Sequence, residues 1–233
     1  VNTKPFPWLR ILAIVLLSLT AAMTLLGAIG TTCVAFNAEK YGPRMALLAP
    51  VKPIFQLLVF VSLAAGLFGV FGIMRLARGR GNAYHQVIIF LLVGLIASGV
   101  QYYYSLTLRG STAPNNIRLY LTGFTLLVTL LLRLPGAWQR SGLDGNAPGG
   151  ASPSGAGGMA LFLCGLATIT TPVWVAPTHL IDGSNTVSVL LWPLLAGGAL
   201  LMFLGGWQWC KPEYGFRTRI ERITRLGRTT HHE

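Results

Sequence analysis

The stretch that decides the fold is "LRILAIVLLSLTAAMTLLGAIGTTC", Leu9 to Cys33, which carries Arg10 near its start and no acid. A helix rises 1.5 Å per residue and the hydrocarbon core is about 30 Å thick, so about 20 apolar residues cross it. Over that distance, away from water, a lone segment can satisfy its backbone groups only as a helix. "AIG" at Ala28–Gly30 would also fit the cleavage site of a leader. The segment is read instead as a retained transmembrane helix.

Five further stretches pass the same test, and together they predict an all-α polytopic bundle of six transmembrane helices. The spans run over about Leu9–Cys33, Pro53–Leu76, Tyr84–Leu108, Ile117–Leu134, Met159–Pro177 and Val187–Trp209. The fourth is short. Pro172 lies inside the fifth, where a kink or break is expected because proline removes a helix hydrogen bond. Composition agrees with this reading. Of 233 residues, 53% are hydrophobic and 10% charged, and the mean hydropathy is +0.60. A soluble domain carries about 25% charged residues, so this chain cannot cover a water-facing surface.

Orientation follows from lysine and arginine. If the N-terminus is cytoplasmic, the inner segments hold Lys4, Arg10, Arg75, Arg78, Arg80, Arg133, Arg140, Lys211, Arg217, Arg219, Arg222, Arg225 and Arg228. The outer loops hold Lys40, Arg44, Lys52, Arg109 and Arg118. Thirteen against five predicts both termini in the cytoplasm and a multi-pass protein of the cell inner membrane. The net charge of +12 then reflects inner loops facing anionic lipid; no nucleic-acid partner is expected.

Four units are predicted: a four-helix transmembrane unit (1–140), a flexible Gly/Ser/Pro/Ala linker (141–158), a helical hairpin (159–210) and a basic amphipathic tail (211–233). In the tail, Phe216, Ile220 and Ile223 recur at helical spacing, with Arg217, Arg219, Arg222, Arg225 and Arg228 around them. That pattern suits a helix lying on the anionic inner leaflet. Small residues recur every four positions at Thr20, Thr24, Ala28 and Thr32, and again at Ala160, Cys164 and Thr168. Such faces let helices approach closely.

Chemistry is sparse. All six acids fall outside the predicted spans, and no lysine or arginine is expected near a span centre. Ion-coupled transport normally needs an intramembrane ionisable group. Cys33, Cys164 and Cys210 fall at different predicted depths and form no framework. No nucleotide loop, zinc spacing, nucleophile elbow or carboxylate cluster stands out, so no catalytic residue and no metal site is assigned. His85 begins the third span beside Tyr84, whereas His179 lies at the opposite end of the fifth. About 30 Å of hydrocarbon separates them, so they cannot share one haem iron. His85 could still serve as the single ligand of a chlorophyll-type pigment or a haem. Beside Tyr84 it also fits the interfacial belt. "QYYYSL" ends the third span, and Gln101, Tyr103, Tyr120 and Gln56 are expected at similar depth, as an outer vestibule or as part of an aromatic belt.

Three functional expectations follow. The first is a non-catalytic integral subunit of a larger bacterial membrane assembly, respiratory or photosynthetic, with a structural role and other membrane subunits as partners. The second is a carrier or binding protein for an apolar or lipid-like ligand at Gln56, Gln101, Tyr103 and Tyr120. The third is a pigment or haem binder through His85.

Overall fold

The computed structural model describes residues 7–77, 82–134, 136–141, 143, 153–175, 180–181 and 184–210. The basic tail, with Arg217, Arg219, Arg222, Arg225 and Arg228, lies outside the described residues, as does His179. The described chain is helical but for two paired two-residue strands, β1 (Leu180–Ile181) and β2 (Ser184–Asn185). The helices are α1 (Pro7–Asn37), α2 (Pro43–Ala46), α3 (Lys52–Ala77), α4 (Ala83–Arg109), α5 (Asn115–Leu131), α6 (Ala137–Ser141), α7 (Pro153–Val175) and α8 (Leu191–Cys210). Four of them, within Trp8–Tyr41, Ala49–Ala77, Ala83–Arg109 and Leu191–Gln208, are long and apolar enough to cross a membrane.

The six long helices fall where the six apolar stretches lie, with three differences. First, α7 begins at Pro153, inside the stretch expected to be a flexible linker. At the other edge of that stretch Ser141 and Leu143 are buried. Second, α7 runs through Pro172 to Val175 without a break. Third, α5 has 17 residues, about 26 Å at the helical rise, and begins below the end of α4. Asn115 Nδ2 donates to the hydroxyl of buried Ser105 at 2.9 Å, one turn inside α4. Arg109 Nη2 donates to the Ala113 carbonyl at 2.9 Å and ties the descending loop.

Side-chain pairings fix the directions. Gly66 of α3 faces Leu25 of α1, and Arg10 Nη2 of α1 donates to the Ala77 carbonyl at 2.6 Å, so α1 and α3 are antiparallel. Gly69 and Gly72 of α3 meet Phe90 and Val87 of α4, again antiparallel. Thr20 of α1 and Thr125 of α5 share a hydrogen bond of 2.8 Å. The Cys164 thiol of α7 donates to the Ser18 carbonyl at 3.4 Å, and α7 runs parallel to α1. Pro7 and Cys210, the ends of the described chain, therefore lie at one end of the bundle.

Two apolar cores stack along the bundle. One gathers Ile14, Leu17, Ile73, Leu76, Val87, Phe90 and Leu91. The other gathers Val34, Ala35, Met45, Leu48, Phe55 and Val59 toward the opposite end. Of the expected small-residue face on α1, Thr20, Thr24 and Ala28 are fully buried, while Thr32 is exposed.

Helices α7 and α8 meet on glycine. A methyl on Gly165 would lie 2.5 Å from the Gly198 carbonyl oxygen, and one on Gly205 would lie 2.6 Å from that of Gly158. Gly158 and Gly165 are seven apart, as are Gly198 and Gly205, so the contacts recur as a seam between antiparallel helices. Gly165→Val should weaken the hairpin by about 1–3 kcal/mol, the range for overpacking. Gly197→Val, in open space, should cost about 1 kcal/mol or less. Chemical unfolding of both variants in detergent checks this; equal losses would contradict the seam.

Candidate functional site

Between the two apolar cores lies a polar layer, and Arg118 is its centre. Only 4% of Arg118 is exposed. Its Nη1 donates to Gln101 Oε1 of α4 at 3.1 Å, and its Nη2 donates to Ser62 Oγ of α3 at 2.8 Å. A guanidinium only donates, so Gln101 must turn its carbonyl oxygen inward. The Gln101 amide then faces Thr31 Oγ1 of α1 at 3.5 Å, and Thr31 itself donates to the Gly27 carbonyl at 2.7 Å. One arginine thus links α1, α3, α4 and α5.

Its place depends on two local features. The first is Gly27: a methyl there would lie 3.2 Å from both Cδ and Nη1 of Arg118, so glycine lets the guanidinium lie against α1. The second is the sunken start of α5. Gln101 lies eight residues before the end of α4 and Ser62 ten after the start of α3. At the helical rise the layer is about 12–15 Å from that end of the bundle.

This corrects the expectation that Arg118 sits in an outer loop: it belongs to the first turn of α5 and is buried inside the bundle. Arg10, too, is buried at the opposite end of the bundle. The signal for Arg118 in the sequence is slight: an arginine four residues after Pro114, ahead of an apolar run, which reads equally as a loop charge.

The other predicted site residues are dispersed. Gln101 is fully buried in the Arg118 layer, while Gln56 donates to the Ala35 carbonyl at 3.1 Å, nearer the bundle end. Tyr103 and Tyr120 are about three-fifths exposed on the outer faces of α4 and α5. The structure therefore brings Gln101 to Arg118 and does not gather the four expected residues into one vestibule. His85 is exposed, edge-on to Tyr84 at 5.9 Å between ring centroids. A pigment on His85 would stand outside the bundle. Tyr84 is buried under Arg133 and Trp138, with the guanidinium 5.0 Å and 5.2 Å from the two ring centroids.

The energetics of the layer set the question of its purpose. Taking a charge out of water costs several kcal/mol. Hydrogen bonds to a charged group return about 1.5–3 kcal/mol each, so two of them roughly break even. Among the described residues the one acid is Glu39, and it pairs with Lys52. Among the described residues Arg118 is therefore compensated by neutral groups alone.

Compared with family models, with curated proteins and with solved structures, the chain matches none of them.

Removing one partner should cost more than removing the group. Gln101→Leu alone should lower stability by about 2 kcal/mol, because it strands the charge. Adding Arg118→Met should recover at least half of that loss. A double-mutant cycle from unfolding in detergent measures it; simple additivity would mean that the two side chains act independently.

Proposed function

We propose that the chain is a six-span protein of a bacterial cytoplasmic membrane, serving as a non-catalytic, structural subunit of a larger membrane assembly. Four helices have the length and hydropathy for spans. The sunken start of α5 accounts for its shortness, and the parallel course of α7 and α1 suits the alternation that six spans require. Pro7 and Cys210 at one end of the bundle support termini on one side. Arg10, Arg75, Arg133 and Arg140 belong to that end. With Arg118 inside the bundle, Lys40, Arg44, Lys52 and Arg109 remain at the other, so the bias that places the termini in the cytoplasm grows.

The observation that carries the assembly reading is the α7–α8 hairpin. Its glycine seam makes it one stiff unit, yet α8 packs chiefly on α7. Trp192, Leu200 and Phe203 are each more than half exposed on its far side. A spanning helix that adds so little to its own bundle is best explained by what its other face meets, and packing between apolar helices is how membrane subunits associate. A second reading, a binder of a lipid-like ligand, draws on an apolar groove of about 350 Å³ lined by Leu19, Met23, Ile117, Leu121, Ala167 and Thr170. An acyl chain is the occupant whose chemistry suits that lining.

A photo-crosslinking residue at Leu200, in native membranes, should give one reproducible adduct with a second multi-pass chain. The same residue at Leu127, on the lipid face of α5, should give none. Lipid adducts alone at Leu200 would contradict the assembly reading.

A further inference from the structure

We infer that Arg118, Gln101 and Ser62 form an enclosed site for a small monovalent anion of the chloride class. The argument starts from donors and acceptors. Arg118 has five N–H groups, of which the contacts above use two. Its Nε is buried and has no hydrogen-bond partner among the described residues. Gln101 adds two amide N–H groups, one spent on a long contact to Thr31. Ser62 accepts from Arg118 and keeps its own hydroxyl hydrogen to give. The side-chain acceptors are Gln101 Oε1, Ser62 Oγ and Thr31 Oγ1, and Arg118 and Gln101 already occupy them. The layer therefore has more donors than acceptors. What it lacks is an electron-rich acceptor, and an anion supplies both that acceptor and the opposite charge.

Size and sign follow from the surroundings. Arg118 is 4% exposed, Gln101 and Ser62 are fully buried, and apolar cores close the layer on both sides. Such an enclosure excludes a lipid headgroup and limits an occupant to a single small ion. Among the described residues the sole carboxylate, Glu39, is held by Lys52, so no acid in that set competes for Arg118. Arg118 also belongs to the first turn of α5, where the helix dipole adds positive potential. Arg10, the other deeply buried arginine, shares the unpartnered Nε but differs in its acceptor: its guanidinium donates at 2.6 Å to the Ala77 carbonyl at the C-terminal end of α3, where the helix dipole is negative.

The test is thermal unfolding of the purified protein in sodium chloride against sodium gluconate at equal ionic strength. For the wild type, chloride should raise the Tm with the logarithm of its concentration above the Kd, by about 4 °C at ten times the Kd. Ser62→Ala, which keeps the charge and removes one donor, should raise the Kd read from that dependence about tenfold. Arg10→Gln should leave it unchanged. Crystals grown in bromide should show an anomalous peak in contact with the Arg118 guanidinium. Equal Tm in both salts would overturn the proposal. So would a chloride response undiminished in Ser62→Ala, or bromide bound only elsewhere. Arg118→Gln, where it folds, should abolish the response; where it does not, the wild-type and Ser62→Ala arms decide.

Discussion

The contact on which the bundle turns is the Arg118 guanidinium between Gln101 and Ser62. It is the point where α3, α4 and α5 share one set of hydrogen bonds, with α1 against it at Gly27. Apolar packing alone leaves helices free to slide, since one leucine face resembles another. A charge that must find two particular oxygens removes that freedom. Moving α4 by one turn would carry Gln101 about 5.4 Å away and leave the charge with Ser62 alone. The layer therefore sets register even though its net contribution to stability is close to zero. A buried polar group that fixes register is the best-attested use of such groups.

Around that layer, close approach is achieved in two ways. In the four-helix unit, glycines of α3 receive large side chains: Gly66 takes Leu25 and Gly69 takes Phe90. The partners remain bulky, and the helices interlock. In the hairpin, glycine meets backbone, with Gly165 against the Gly198 carbonyl and Gly205 against that of Gly158. Backbone contact of this kind makes α7 and α8 a stiff pair. It leaves the outward side chains of α8, Trp192 and Phe203 among them, to whatever lies beyond. The fold thus divides into a keyed core and an attached hairpin, and the proposed assembly role belongs to the hairpin.

Much of this was legible in the sequence. The six helices answer to runs of apolar residues, and a run of 20 has few other fates. Thr20, Thr24 and Ala28 announced a buried face by their spacing. Gln101 reads from the sequence as a vestibule residue, whereas it is the acceptor for a buried cation. Arg118 reads as a loop charge because hydropathy averages over a window and cannot show a loop that descends into a bundle. The glycine seam is not legible for a different reason: its members lie on separate helices, and only pairing across helices gives their spacing a meaning. Tyr103 and Tyr120 share a depth zone with Gln101 but point outward. Depth can be read from distance along a helix, whereas facing depends on which neighbours the helix finds.

Central to the proposed membrane topology is that the buried Arg118 charge, held by neutral partners at the head of a sunken helix, falls inside the hydrocarbon layer. Ile117, beside Arg118 and partly exposed, reports its depth most directly. A nitroxide attached at position 117, in liposomes, should collide with oxygen far more often than with a water-soluble nickel chelate, as should a label at Leu127 on the outer face of α5. A label at 117 that meets the nickel chelate as freely as one at Lys40 would place the start of α5 in water and contradict the account.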